Sequence, residues 1–223
     1  MELISVLKII FNHFKKSYFI FTGIWFTIGL LLFIPMNQDD EFFAIVLLTY
    51  MISSIIFTIV IGSILYGSYG KTLACLQNNR KNYILGVIIV GIANSLLFTL
   101  VTAFIRLNSK AYYFNPLTFE IAITVFSFYI SVFYLSGLYG LFISHKKKFR
   151  KIFYIVFTVI ILGLGLFFIP MSLELILSLI DFNRNYNYLM LILSLNIFNI
   201  ITIVLTSLYY LNLNIVKAYS NNN

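Results

Sequence analysis

The sequence predicts an all-α polytopic membrane protein: six transmembrane helices, an amphipathic interfacial helix at the N-terminus, and both termini in the cytoplasm. Three observations carry that prediction. Hydrophobic residues make up 61% of the chain and charged residues only 10%, outside the range of a soluble domain. Six apolar runs recur, at 18–35, 42–65, 83–105, 117–143, 153–169 and 188–211, each long enough to cross a ~30 Å hydrocarbon core as a helix. Of the 15 Lys and Arg residues, only Arg106, Lys110 and Arg184 fall on one side of the resulting topology. The positive-inside bias assigns the basic side to the cytoplasm.

Residues 1–17 precede the first run and show helical periodicity. Leu3, Ile4, Leu7, Ile10, Phe11 and Phe14 form an apolar stripe, with Ser5, Lys8, Asn12, Lys15 and Lys16 on the other face. A basic face beside an aromatic-aliphatic one describes a helix lying in the inner interface, or packed on neighbouring helices. Nothing resembling a cleavage site follows the first run, so it is expected to remain as a span. Residues 18–211 are then a six-helix bundle and 212–223 a cytoplasmic tail, together one membrane domain.

The connections differ in kind. Asp39, Asp40 and Glu41 make the first outer turn acidic, and Tyr112, Tyr113 and Phe114 supply interfacial aromatics to the second. Pro35, Pro116 and Pro170 all fall at outer span ends, where no interior hydrogen-bond ladder is broken. After Pro170, residues 171–180 are apolar but too short to span, which predicts a re-entrant or interfacial outer helix containing Met171, Leu175 and Leu179. Lys8, Lys15 and Lys16, then Lys71, Arg80 and Lys81, then the run Lys146, Lys147, Lys148, Arg150 and Lys151, and finally Lys217, mark the inner side. Residues 71–77 can form two helical turns with Leu73 and Leu76 on one side, before the polar run 78–82 leads into the third span.

The formal net charge of +8 raises the question of nucleic acid. Loops facing anionic lipid explain it better, since the basic residues sit beside span ends. Catalytic chemistry lacks its residues. Gly70-Lys71-Thr72 resembles the end of a phosphate-binding loop, but Leu65 stands where the first glycine belongs. Ser136-Gly137 lacks the glycine of an intramembrane serine-protease turn, Tyr134 standing in its place, and the two histidines, His13 and His145, sit at the inner boundary. Cys75 is the only cysteine, so neither a disulfide nor a metal-ligand cluster is expected. Within the runs the one charged residue is Glu120, near an outer end, and no carboxylate pair could relay protons. Polar residues of the spans include Asn94, Asn196 and Asn199, with Thr99, Thr102, Thr202 and Thr206. They read either as interhelical hydrogen-bonding groups or, for the asparagines, as the lining of a substrate path.

Six spans, an amphipathic leader, a helical first inner loop and a short outer helix after span five make this chain resemble an ABC-2 type transporter permease. The most specific local match is Leu76-Gln77-Asn78-Asn79-Arg80-Lys81-Asn82-Tyr83-Ile84-Leu85-Gly86. It is similar to the segment in small bacterial permeases where a polar turn and an Arg-Lys pair lead into a glycine-containing third span. The resemblance implies that 71–77 is a coupling helix docking on a separate ATPase chain. Its contacts would come from Lys71, Leu73, Leu76, Gln77, Asn78 and Arg80, with Leu73 and Leu76 inserting. It also implies that 1–17 is the connecting helix and that 171–180 closes the exit. Many members carry an acidic residue at the coupling helix, and this loop has none. Small size and an Ile-, Phe- and Asn-rich composition are further similar to permeases of Gram-positive peptide exporters, including those for phenol-soluble modulins.

The expected function is therefore the permease subunit of an ATP-driven exporter in a bacterial, Gram-positive plasma membrane. It would move a hydrophobic or amphipathic substrate such as a peptide, toxin, antimicrobial or lipid-like molecule. The partners would be an ATPase carrying ATP and Mg, a second permease subunit and membrane lipid, with no cofactor on this chain. The alternative is a non-transporting immunity or sensor protein on the same scaffold.

Overall fold

The computed structural model describes residues 3–31, 40–67, 80–107, 119–145 and 188–211. Every regular element among them is an α-helix: α1 (Leu3–Leu31), α2 (Asp40–Tyr66), α3 (Arg80–Leu107), α4 (Phe119–His145) and α5 (Tyr188–Leu211). Four stretches, Ile45–Tyr66, Lys81–Ile105, Phe119–Leu141 and Leu189–Leu208, are long and apolar enough to cross a membrane, at 22, 25, 23 and 20 residues. Their outward faces are apolar too, with Ile52 and Ile56 on α2, Leu96 and Leu100 on α3, and Ile197 and Ile200 on α5 all exposed. An apolar exterior over this length suits hydrocarbon rather than water, and the chain is a helical membrane protein. Outside the described residues lie the run 153–169, the outer segment with Met171, Leu175 and Leu179, the tail 212–223, and the inner-loop residues Lys71, Leu73, Cys75, Leu76, Gln77 and Asn78. Arg80 opens α3, and its side chain also falls outside them.

Of the two placements expected for the leader, the structure shows packing on a neighbouring helix, with residues 3–17 forming the first half of one uninterrupted helix that ends at Leu31. No Gly or Pro interrupts 3–22, so nothing locally stops the helix. The buried stripe is Val6, Ile10 and Phe14, continuing to Trp25, whereas Ile4 and Phe11 of the expected apolar face are 72% and 66% exposed. Packing decides the face. A Cβ on Gly86 of α3 would stand 2.9 Å from Val6 Cγ1, so the missing side chain is what lets the leader approach.

Contacts along α1 fix its direction. Val6 and Ile10 meet Gly86, Tyr18 reaches Asn94, Phe21 packs edge-on to Phe98, and Phe26 stacks on Phe104 with ring centroids 4.9 Å apart. Residue numbers rise together on both helices, so α1 and α3 run parallel along their length. α2 runs against them, with Tyr83 bonded to Leu65, Asn94 to Thr58, and Tyr50 to the Phe98 carbonyl. α4 is the central helix, with 72% of its apolar span buried, and packs on α2, α3 and α5.

The α2–α4 crossing is close because it is made of small residues. A Cβ on Gly140 would lie 2.7 Å from Ser63 Cα, and one on Gly62 would lie 2.6 Å from the Phe133 carbonyl oxygen. Two apolar clusters fill the bundle. The first joins Trp25, Tyr50, Phe98, Ile121, Tyr129 and Leu191. The second, at the end where α2 stops and α3 starts, joins Val6, Ile10, Leu65, Tyr66, Tyr83, Phe133 and Leu141.

α4 and α5 run parallel. Ser127 bonds Asn196 and Ser131 bonds Asn199, Leu191 shares a cluster with Ile121, and Ile203 packs against the cluster of Leu141. Two consecutive described helices thus point the same way.

Candidate functional site

Buried hydroxyls and amides join the helices where the apolar clusters meet. The seam starts on α1, where the Tyr18 hydroxyl donates to Asn94 Oδ1 at 2.7 Å. Asn94 Nδ2 donates on to Thr58 Oγ1 of α2 at 3.2 Å, and Thr58 donates to the Ser54 carbonyl at 2.8 Å. The Ser54 hydroxyl lies 2.6 Å from that of Tyr129 on α4. Because Ser54 also donates to the Met51 carbonyl at 2.9 Å, its proton is committed and Tyr129 is the donor between them. Beside this chain, the Phe98 carbonyl of α3 accepts from both Tyr50 at 2.9 Å and Thr102 at 2.8 Å.

A second seam joins α4 to α5. Asn199 accepts from Ser131 at 2.6 Å and donates to the Ser127 carbonyl at 3.0 Å. Ser127 also donates to Asn196 at 3.4 Å, while Asn196 donates back to the Ile192 carbonyl at 2.9 Å and stays exposed at the rim. Ser127 and Ser131 flank Tyr129, so α4 carries both seams on neighbouring turns.

The three asparagines are therefore not one cluster. Asn94 ties α1 to α2, Asn199 ties α4 to α5, and Asn196 sits at the surface. Each amide in hydrocarbon needs a partner, and helix-to-helix bonds supply one at ~0.6 kcal/mol each on average. The seam residues that were not singled out from sequence are Tyr18, Ser54, Thr58, Ser127, Tyr129 and Ser131. Their signal was available: Ser54 with Thr58, and Ser127 with Ser131, are polar pairs four apart in apolar runs. One hydroxyl breaks the pattern. Tyr134 Oη is buried and makes no hydrogen bond among the described residues, its ring lying 6.1 Å from that of Tyr66.

The other assembled region is the frame around the segment 68–79. The Tyr83 hydroxyl on α3 donates to the Leu65 carbonyl on α2, tying together the two helix ends that border the segment. Gly67 closes α2 by donating to the Ser63 carbonyl at 2.8 Å. Val6, Ile10 and Phe14 of α1 belong to one apolar cluster with Leu65, Tyr66, Tyr83 and Ile84, and Val6 and Ile10 lie against Gly86 of α3. In the sequence, residues 68–79 connect these two bonded helix ends. Among the described residues no group of three or more His, Cys, Asp or Glu could hold a metal ion. No protein-family model matches the chain, and no curated protein or solved structure matches it either.

Proposed function

We propose that this chain is the permease subunit of an ATP-driven exporter, receiving force from a separate ATPase through a coupling helix at 71–77. The observation that carries the reading is the brace itself. A segment flanked by two helix ends that share the Tyr83–Leu65 hydrogen bond, with α1 on α3 in the same apolar cluster, would pass a displacement into α2 and α3 and, through α3, into α1. Leu73 and Leu76, apolar within that segment, would seat in the ATPase, with Lys71, Gln77, Asn78 and Arg80 around them.

The topology of the proposal is six spans with both termini in the cytoplasm of a bacterial, Gram-positive cell. Parallel α4 and α5 support an odd number of crossings within 146–187, and the run at 153–169 is the apolar stretch long enough to make one. The cargo is hydrophobic or amphipathic, because the exposed span surfaces and the seams offer apolar and uncharged groups. A second permease subunit completes the pathway. ATP and Mg belong to the ATPase. Asn94 and Asn199 would sit on helix junctions that slide during transport, with Asn196 nearest a substrate. The alternative is an immunity or sensor protein, in which the same brace transmits no work.

The test is purification of the tagged chain from its native membrane in mild detergent. Recovery of a cytoplasmic ATPase chain in fixed stoichiometry, with ATP hydrolysis, supports the exporter. Clean recovery of the protein without any ATPase, under conditions that keep it monodisperse, contradicts it.

A further inference from the structure

The outward face of α1 is unlike that of its neighbour. Opposite the buried stripe of Val6, Ile10 and Phe14, the residues Asn12, Lys16, Gly23 and Thr27 follow at i, i+4, i+11 and i+15, one line of the helix with Lys15 beside it. All five are exposed. Lys15 Nζ donates to Asn12 Oδ1 at 3.4 Å, Thr27 donates to the Gly23 carbonyl at 2.8 Å, and a Cβ on Gly23 would meet nothing within 4 Å. Phe19 and Ile20 stand among them, 84% and 65% exposed. The outward side of α3, by contrast, is Ile89, Ile92, Leu96 and Leu100.

The bonds between the two helices set the depth of this line. Asn94, the partner of Tyr18, stands about 20 Å along α3 from Lys81, near the middle of the 25-residue apolar stretch Lys81–Ile105. Lys15 and Lys16 precede Tyr18 by less than one turn, so both cations leave the helix at mid-depth. Gly23, between Phe21 at Phe98 and Phe26 at Phe104, stands level with Leu100. Charged side chains at such a depth face a water-filled cavity or an opposite charge rather than acyl chain. Among the described residues the carboxylates are those of Asp40, Glu41 and Glu120, in the first turns of α2 and α4 at the far end of the bundle from the leader.

We propose that this face of α1 lines a water-filled path, and that Lys15 and Lys16 bind carboxylates of an acidic amphipathic peptide within it. Two adjacent cations at a level without an acid among the described residues complement a carboxylate. Phe19 and Ile20 beside them give the peptide's apolar side a surface. Resident lipid does not meet the need, because its phosphates stay in the headgroup layer while Lys15 and Lys16 lie at the middle of the hydrocarbon. A second copy of the chain brings the same cations to the same level and supplies no opposite charge. Transport of the peptide rests on the exporter reading; its binding here rests on the packing of α1.

The experiment uses the full-length chain carrying Cys75→Ser. In membranes opened to both sides, Asn12→Cys and Gly23→Cys should react with a small water-soluble thiol reagent about tenfold faster than Ile89→Cys and Leu100→Cys, which stand at matching levels on α3, since the attacking thiolate needs water. In neutral detergent, a labelled amphipathic helical peptide with glutamates on its polar face should bind about tenfold more tightly than its glutamine counterpart, read by fluorescence anisotropy against protein-free micelles. Lys15→Gln with Lys16→Gln should abolish that preference at an unchanged elution profile, and Lys15→Arg with Lys16→Arg should keep it. Equal labelling at the four cysteines overturns the path. Equal binding of the two peptides overturns the site, as does an undiminished preference in the glutamine double variant or displacement of the peptide by phosphatidylglycerol. Recovery of an ATPase with a chain that ignores the acidic peptide would leave the exporter standing and this proposal overturned. Preference for the acidic peptide in a chain that recovers no ATPase would support the site and contradict the exporter alone.

Discussion

Tyr18 and Asn94 are 76 positions apart in the chain and share a 2.7 Å hydrogen bond that fixes α1 against α3 at the level where Asn94 also reaches Thr58 of α2. One amide thereby sets the relative register of three helices. Polar groups of this kind favour one packing over its neighbours, because a shift by one turn would leave an amide unpaired in hydrocarbon.

That bond predicts a measurable coupling. Tyr18→Phe and Asn94→Leu should each destabilise the bundle, and the double variant should lose less than the sum. A coupling of about 0.6–1.7 kcal/mol is expected from a double-mutant cycle on unfolding in detergent. Strict additivity would mean that the two side chains do not meet.

Two buried tyrosines on α4 should respond differently to loss of the hydroxyl. Tyr129 donates to Ser54, so Tyr129→Phe leaves that seam short of a donor and should cost about 1 kcal/mol. Tyr134 is buried with its hydroxyl unpaired, so Tyr134→Phe should be neutral or stabilising, by up to about 1–3 kcal/mol. Thermal unfolding of the two variants beside the parent checks the order.

Glycines separate packing from propensity. Gly140→Leu drives a side chain into Ser63, whose Cα lies 2.7 Å from where the new Cβ would stand, and should yield aggregated or degraded protein. A Cβ on Gly23 would meet nothing within 4 Å, so Gly23→Ala should fold normally and gain up to about 1 kcal/mol from helix propensity. Detergent-elution profiles of the pair suffice.

How much of this was legible in the sequence follows from what each feature depends on. Helix existence was, because long apolar runs bounded by Pro35, Pro116 and Pro170 leave the backbone no other way to satisfy itself in lipid. The face of the leader was legible in part: of the expected stripe Leu3, Ile4, Leu7, Ile10, Phe11 and Phe14, Ile10 and Phe14 are buried, whereas Ile4 and Phe11 are exposed and Val6, outside it, is buried at Gly86. Asn94 and Asn199 stood out as amides in apolar runs, but their partners Tyr18 and Ser131 come from distant segments, which periodicity along one helix does not reveal.

Topology can be read by labelling. A cysteine at Asn37 should react with an impermeant thiol reagent outside intact cells, while the native Cys75 should not. In a chain with Cys75 replaced by Ser, single cysteines at Phe119 and Tyr188 should behave alike, as the starts of parallel helices, and unlike one at His145. Labelling of Phe119 and Tyr188 from opposite sides would contradict the parallel pair.

The most direct test of the exporter reading is the double variant Leu73→Asp, Leu76→Asp. Burial of two leucines contributes on the order of 3–6 kcal/mol, and two carboxylates in their place would oppose docking. The measurement is pull-down of the ATPase by a variant whose expression and elution match the parent. The account predicts an intact membrane domain that no longer retains the ATPase. Full retention by such a variant would contradict the assignment of 71–77 as the point of coupling.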